Sequence, residues 1–119
     1  MEHMKFTSSG SAIDMIVAEK SLFENPKQFM TEVIRFLDHE IYPECGIAFD
    51  YKGFRLKEGL YLNIIDQHIQ LMNQKAETIK IRDAKTTYRV KRSSFDPCSD
   101  EFIIETEKAY IAFLWSLTE

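Results

Sequence analysis

From Gly46 onward the apolar residues alternate with polar ones, and the alternation survives reflection about a series of short polar breaks. A period of two marks a half-buried strand; in a hairpin, facing residues have positions that sum to a constant and share one side of the sheet. A turn at Lys52-Gly53, with Gly where a primed turn wants it, sets Tyr51 against Phe54 and Phe49 against Leu56. A loop at Lys57-Glu58-Gly59 then sets Leu56 against Leu60. Turns at Asp66-Gln67, Gln74-Lys75-Ala76 and Ala84-Lys85 bring Leu62, Ile64, Ile69, Leu71, Ile79, Ile81, Tyr88 and Val90 to one face. A last turn at Glu107-Lys108 sets Ile104 against Ile111 and Phe102 against Phe113, with Trp115 extending that face.

Ahead of this region stands a helix signal. Asn25 can cap it, Pro26 suits its first position, and Gln28 follows three residues after the cap. Phe29, Val33, Phe36, Leu37 and Ile41 recur at three-and-four spacing, with Met30 and Ile34 widening the stripe, and Pro43 stops the helix near Tyr42. The sequence therefore predicts an α+β fold: one N-terminal helix packed against a strongly curved antiparallel β-meander of about 7–8 strands. A competing reading places a second helix near residues 59–75, where Tyr61, Ile65, Ile69 and Met72 also keep helical spacing, and leaves a smaller sheet.

The chain has 119 residues, the size of one ordinary domain. Residues 1–11, with the polar run Thr7-Ser8-Ser9-Gly10-Ser11, read as a flexible tail, and residues 12–119 as a single α+β domain. Ala12 to Lys20 suggests a strand leading into the helix. Ser93 to Asp100, broken by Asp96-Pro97, reads as a surface loop. Tyr110 to Leu117 is apolar at inward and outward positions alike, which predicts either a strand covered on both faces, against Ala12 to Ala18, or an exposed strand through which a homodimer forms. No stretch has the ~20 apolar residues of a membrane span, and the N-terminal residues lack the apolar run of a secretory signal. The expected setting is cytoplasmic.

Two charge patterns bear on function. Opposite parity to the apolar face places Lys80 and Arg82 beside Thr87, Arg89 and Lys91, and the stretch from Lys80 to Arg92 holds six basic residues and one acid in a chain of net charge −4. Such a face suits an acidic partner; the competing expectation is ordinary cross-strand pairing of Lys91 and Arg89 with Glu101 and Glu105. The acids Asp96, Asp100, Glu101, Glu105 and Glu107 gather around the last loop and hairpin, where they could steer a basic partner or simply keep the surface soluble. The net negative charge argues against nucleic acid, as does the lack of outward Phe or Trp near the cations.

Catalytic signals are sparse. His39 lies between Asp38 and Glu40, His68 follows Asp66, and His3 sits in the polar N-terminal segment; each could act as a base or ligand only where the fold supplies a partner. Cys45 and Cys98 are far apart, with no zinc spacing, and Cys98 has no adjacent base to lower its pKa. Glycine-rich phosphate loops and nucleophile elbows are absent. These residues imply no catalytic set, no cofactor and no metal. The expected function is a non-enzymatic protein-binding module, such as an inhibitor or an immunity or antitoxin-type protein. The alternative is a small-molecule or lipid-binding domain, with a cavity between sheet and helix lined by Phe49, Tyr51, Phe54, Phe102 and Phe113.

Overall fold

A computed structural model of the chain describes residues 1–8, 10–43, 53–71, 83–92 and 98–117. Its strands are β1 (Glu2–Ser8), β2 (Ser11–Glu19), β3 (Phe54–Gly59), β4 (Thr86–Arg92), β5 (Ser99–Glu105) and β6 (Ala109–Leu117). Helix α1 (Pro26–Phe36) lies between β2 and β3, and α2 (Leu62–Leu71) between β3 and β4. The strands make one antiparallel sheet in the order β1-β2-β6-β5-β4-β3. The fold is α+β, with a six-stranded sheet and two α-helices among the described residues, so the smaller sheet with a second helix is the form they take.

The centre of the sheet is apolar on both sides. Along β6, Tyr110, Ala112 and Leu114 join Ile16, Ala18 and Ile103 in one buried cluster, while Phe113 joins Ile13, Met15, Phe102 and Ile104 in another, with Ile111 and Trp115 packed against it. The turn at Glu107-Lys108 gives the register expected of it, with Phe102 opposite Phe113 and Ile104 opposite Ile111. β6 pairs with β2 along Ser11 to Glu19, so this strand, apolar from Tyr110 to Trp115, is interior to the sheet and covered on both faces. The expectation of one continuous apolar face fails between β4 and β5. Tyr88 stands opposite Ile103, so Tyr88 and Val90 face the side away from Phe102 and Ile104.

Each face carries one helix. Asn25 Oδ1 accepts from the Gln28 backbone N–H (2.8 Å), Pro26 occupies the first turn, and Phe29, Met30, Val33 and Ile34 are buried against the first cluster. The helix continues as a π-helical stretch, Leu37–Ile41, closed by the Tyr42 N–H bond to Leu37 O (2.7 Å) just before Pro43. On the opposite face α2 buries Ile65 and Ile69 against the second cluster. This overturns the strand assignment of residues 60–71. Leu62 and Leu71, inward in that assignment, are 36% and 73% exposed, whereas Ile65 is fully buried. β3 also runs straight through Lys57, Glu58 and Gly59, where a turn was expected. The physical reason is the second face of the central strands: an i, i+4 isoleucine pair covers it, and a further edge strand does not.

Residues 1–11 are not a tail. Glu2–Ser8 pairs with β2 along its whole length, from Glu2 opposite Val17 to Ser8 opposite Ser11, and Gly10 at φ 91° supplies the positive φ of the tight turn. Polar residues are tolerated there because β1 is a terminal strand of the sheet, and Phe6 packs on the second cluster. His3 Nε2 meets Asp14 Oδ1 at 2.6 Å, and Tyr42 Oη donates to the same oxygen at 2.9 Å, which ties β1 to the end of the first helix. The hairpins placed around residues 44–52 and 72–82 lie outside the described residues.

Truncation separates the helical from the extended arrangement of residues 62–71. Ile65→Ala should cost about 2–5 kcal/mol in urea unfolding, and Leu62→Ala less than about 1 kcal/mol. The opposite ranking would restore the strand.

Candidate interaction face

The register of β3 against β4 sets Arg55 opposite Lys91 and Lys57 opposite Arg89. Arg89 in turn stands opposite Phe102, so all four cations share the sheet face that α2 covers further along. The apolar cluster under α2 draws its strand residues from β2, β5 and β6, and none from β3 or β4. The cations therefore occupy the part of that face which the cluster does not reach.

Arg89 differs from the other three. Its Nε and Nη2 donate to Asp100 Oδ1 (3.1 and 2.8 Å), Nη2 also to Oδ2 (2.9 Å), and its guanidinium lies 5.4 Å from the Phe102 ring centroid and 6.0 Å from that of Tyr61. Asp100 Oδ2 is 3.2 Å from His68 Nε2 on α2, and the His68 ring stacks on Trp115 at 4.4 Å between centroids. The His68 Nδ1 atom is buried and meets no hydrogen-bond partner among the described residues. Arg55, Lys57 and Lys91 are exposed, and among the described residues none has a carboxylate within ion-pair distance.

Thr87 locks the near end of this face. It is 4% exposed, donates to Gly59 O and accepts from the Tyr61 backbone N–H (3.1 Å), joining the β3–α2 connection to β4. A methyl group on Gly59 would sit 2.9 Å from Tyr61 ring carbons, so the close approach of this ring explains the glycine.

On the other face the charges are matched. Arg92 pairs with the buried Glu101, with Nη2 to Oε2 at 2.8 Å, and Glu105 accepts from Lys20 Nζ (2.6 Å) and Tyr88 Oη (3.1 Å). The proposed acidic surface is thereby divided. Asp100 is on the α2 side with Arg89, Glu101 and Glu105 are on the α1 side with Arg92, Lys20 and Tyr88, Glu107 is exposed in the last turn, and Asp96 lies outside the described residues. The expected pairing of Lys91 and Arg89 with Glu101 and Glu105 is replaced by Arg89–Asp100 and Arg92–Glu101, because Glu101 and Glu105 have the opposite parity to Phe102, the residue facing Arg89. Lys80 and Arg82 lie outside the described residues. Arg55 and Lys57 join Arg89 and Lys91 through the β3–β4 pairing, which β3's expected break at Lys57 had concealed.

The remaining candidates are placed singly. His39 is exposed, Cys98 is exposed at the turn before β5, and Cys45 lies outside the described residues. Phe54 belongs to the cluster under α1, and Phe102 and Phe113 to the one under α2, so they line no common cavity; Phe49 and Tyr51 lie outside the described residues. A pocket of about 490 Å³ opens instead at the junction of β3, α2 and β4, between Leu60, Leu62, Ala84 and Lys85. Tyr110 to Leu117 has β2 and β5 on its two edges, and its side chains join the buried cluster on either face. Among the described residues no group of three His, Cys, Asp or Glu is placed to hold a metal ion, and no helix is long and apolar enough to cross a membrane.

No family model and no curated protein matches the sequence. Among solved structures, citrus MAF1 aligns over 95% of this chain and 92% of its own at 11% identity and a TM-score of 0.37, a likeness too low to carry an argument.

Two measurements check the electrostatics. Lys91→Glu places an acid opposite Arg55 and should raise stability by about 0.2–1 kcal/mol, read as a higher urea midpoint with an unchanged slope. Burial of the Tyr88 phenol, aided by its bond to Glu105, pushes its pKa from 10.0 up to about 12. The same carboxylate, by accepting from Lys20, raises the lysine as well. Tyr88 holds its proton longer in the folded than in the unfolded state, so its contribution is complete below pH 10 and is lost as pH rises towards 12. Tyr88→Phe should therefore flatten the fall in urea midpoint over that alkaline interval, and an equally steep fall would contradict the assignment.

Proposed function

We propose that the chain is a non-enzymatic protein-binding module that docks an acidic partner on the β3–β4 face, acting by occlusion as an inhibitor or an immunity or antitoxin-type protein does. The observation that carries this reading is the set Arg55, Lys57 and Lys91, exposed on one face and without a carboxylate partner among the described residues. Like charges facing each other across a strand pair oppose folding, whereas acids elsewhere on the sheet are used in pairs. A cationic face kept against that cost is accounted for by a partner that neutralises it. A protein partner fits better than nucleic acid: among the described residues the nearby aromatics are the fully buried Phe102 and the half-buried Tyr61, neither an exposed ring for a base to stack on, and the chain is net negative.

The pocket between Leu60, Leu62, Ala84 and Lys85 favours a second reading, binding of a small apolar ligand, since about 490 Å³ is within the range of such sites. It lies at one end of β3 and β4, beside the first turn of α2.

Affinity purification from extracts of the source cell tests the first reading. A triple variant R55E/K57E/K91E should lose an enriched partner by about tenfold or more, while R35E, on the exposed side of α1, should retain it. Equal recovery with all three proteins would remove the β3–β4 face as the interface.

A further inference from the structure

The kind of partner can be narrowed by the spacing of the cations. Arg55 and Lys57 are alternate residues of one strand, so their attachment points repeat at about 6.6–6.8 Å. Lys91 stands directly across from Arg55, on a neighbouring strand about 4.8 Å away. Arg89, the fourth corner, has its charge taken by Asp100 and its guanidinium held over Phe102. Three charges with no carboxylate partner among the described residues thus lie on a strand-spaced grid, two of them in line along β3.

An extended peptide has the same grid. Its alternate side chains fall on one side with the strand repeat, whereas consecutive side chains point to opposite sides and acids on a helix recur at three or four residues. We propose that this face recognises an extended acidic segment whose Asp or Glu residues occupy alternate positions and pair with Arg55 and Lys57, with Lys91 adding charge across the strand. The inference rests on the protein-binding reading of the same face and adds the conformation and sequence pattern of the partner. β3 is also the terminal strand among the described residues, so a segment lying along it meets no further described strand of the sheet.

Fluorescence anisotropy with defined probes decides it. The probes are a labelled peptide alternating Glu and Thr, a peptide of the same composition with its glutamates in one block, and an oligouridylate of similar length. The wild-type chain should bind the alternating peptide several-fold more tightly than the blocked one, and binding should weaken by about tenfold in R55Q/K57Q/K91Q. R35Q should bind as wild type does, and added salt should weaken binding. The glutamine variant introduces no new charge, and its circular dichroism spectrum is expected to match that of the wild type. Equal affinity for the two peptides, tighter binding of the oligouridylate, or no peptide binding at all would overturn the proposal. In the last case, a native partner still lost in R55E/K57E/K91E would leave the protein-binding reading standing and remove only the alternating-acid pattern.

Discussion

The fold is governed by a central strand with no polar side. Tyr110 to Leu114 on β6 is apolar at each position, and the neighbouring segments Ile13 to Ala18 and Phe102 to Ile104 add apolar surface to both sides. At about 25 cal/mol per Å² of apolar surface, leaving either side in water would forfeit more than a small domain's net stability. Two covers are required, and the chain supplies one from each long connection: α1 between β2 and β3, and α2 between β3 and β4. The strand order follows from this requirement. The first hairpin and the β4–β6 meander meet at β2 and β6, while β3 is carried to the far edge of the described strands.

Coverage stops short of that edge, and the chemistry changes there. Under α2 the buried residues come from three strands; beyond them the same face of β3 and β4 presents Arg55, Lys57, Arg89 and Lys91. The opposite face of those two strands contributes Phe54, Leu56, Tyr88 and Val90 to the core under α1, and its Arg92 is paired with Glu101. Two strands thus combine a conventional core side with a side that local energetics does not favour. Departures of this kind, in which a sequence breaks a pairing rule without a compensating contact, are where function is most reasonably sought.

The sequence was most legible where structure is local. Asn25, Pro26 and the stripe from Phe29 to Leu37 specify α1, and the two-residue turn at Glu107-Lys108 fixes the β5–β6 register, because each depends on residues a few positions apart. Residues 62–71 were ambiguous since Leu62, Ile64, Ile69 and Leu71 suit one strand face while Ile65 and Ile69 suit one helix face. The choice is made by the distant surface of β2, β5 and β6. β1 was hidden for a similar reason: its polar composition looks unstructured until β2 supplies its hydrogen bonds. Of the candidate interaction face, Arg89 and Lys91 were readable from alternation within one strand. Arg55 and Lys57 were not, because their pairing with β4 spans an inserted helix.

Asp100 marks the boundary between the apolar and cationic regions. It sits on β5, at the edge of the α2 cover, and accepts from Arg89 of β4 while contacting His68 of α2. A carboxylate in that position satisfies the guanidinium that lies against Phe102 and would otherwise leave a partly buried charge unpaired. The same arrangement spends the acid's charge on Arg89 alone among the four cations. With Glu101 and Glu105 turned to the other face by strand parity and already engaged by Arg92 and Lys20, neither faces Arg55, Lys57 or Lys91 across the sheet. The exposed positive charge is thus a consequence of where the nearby acids are spent: one closes the interior under α2, and two close the side under α1.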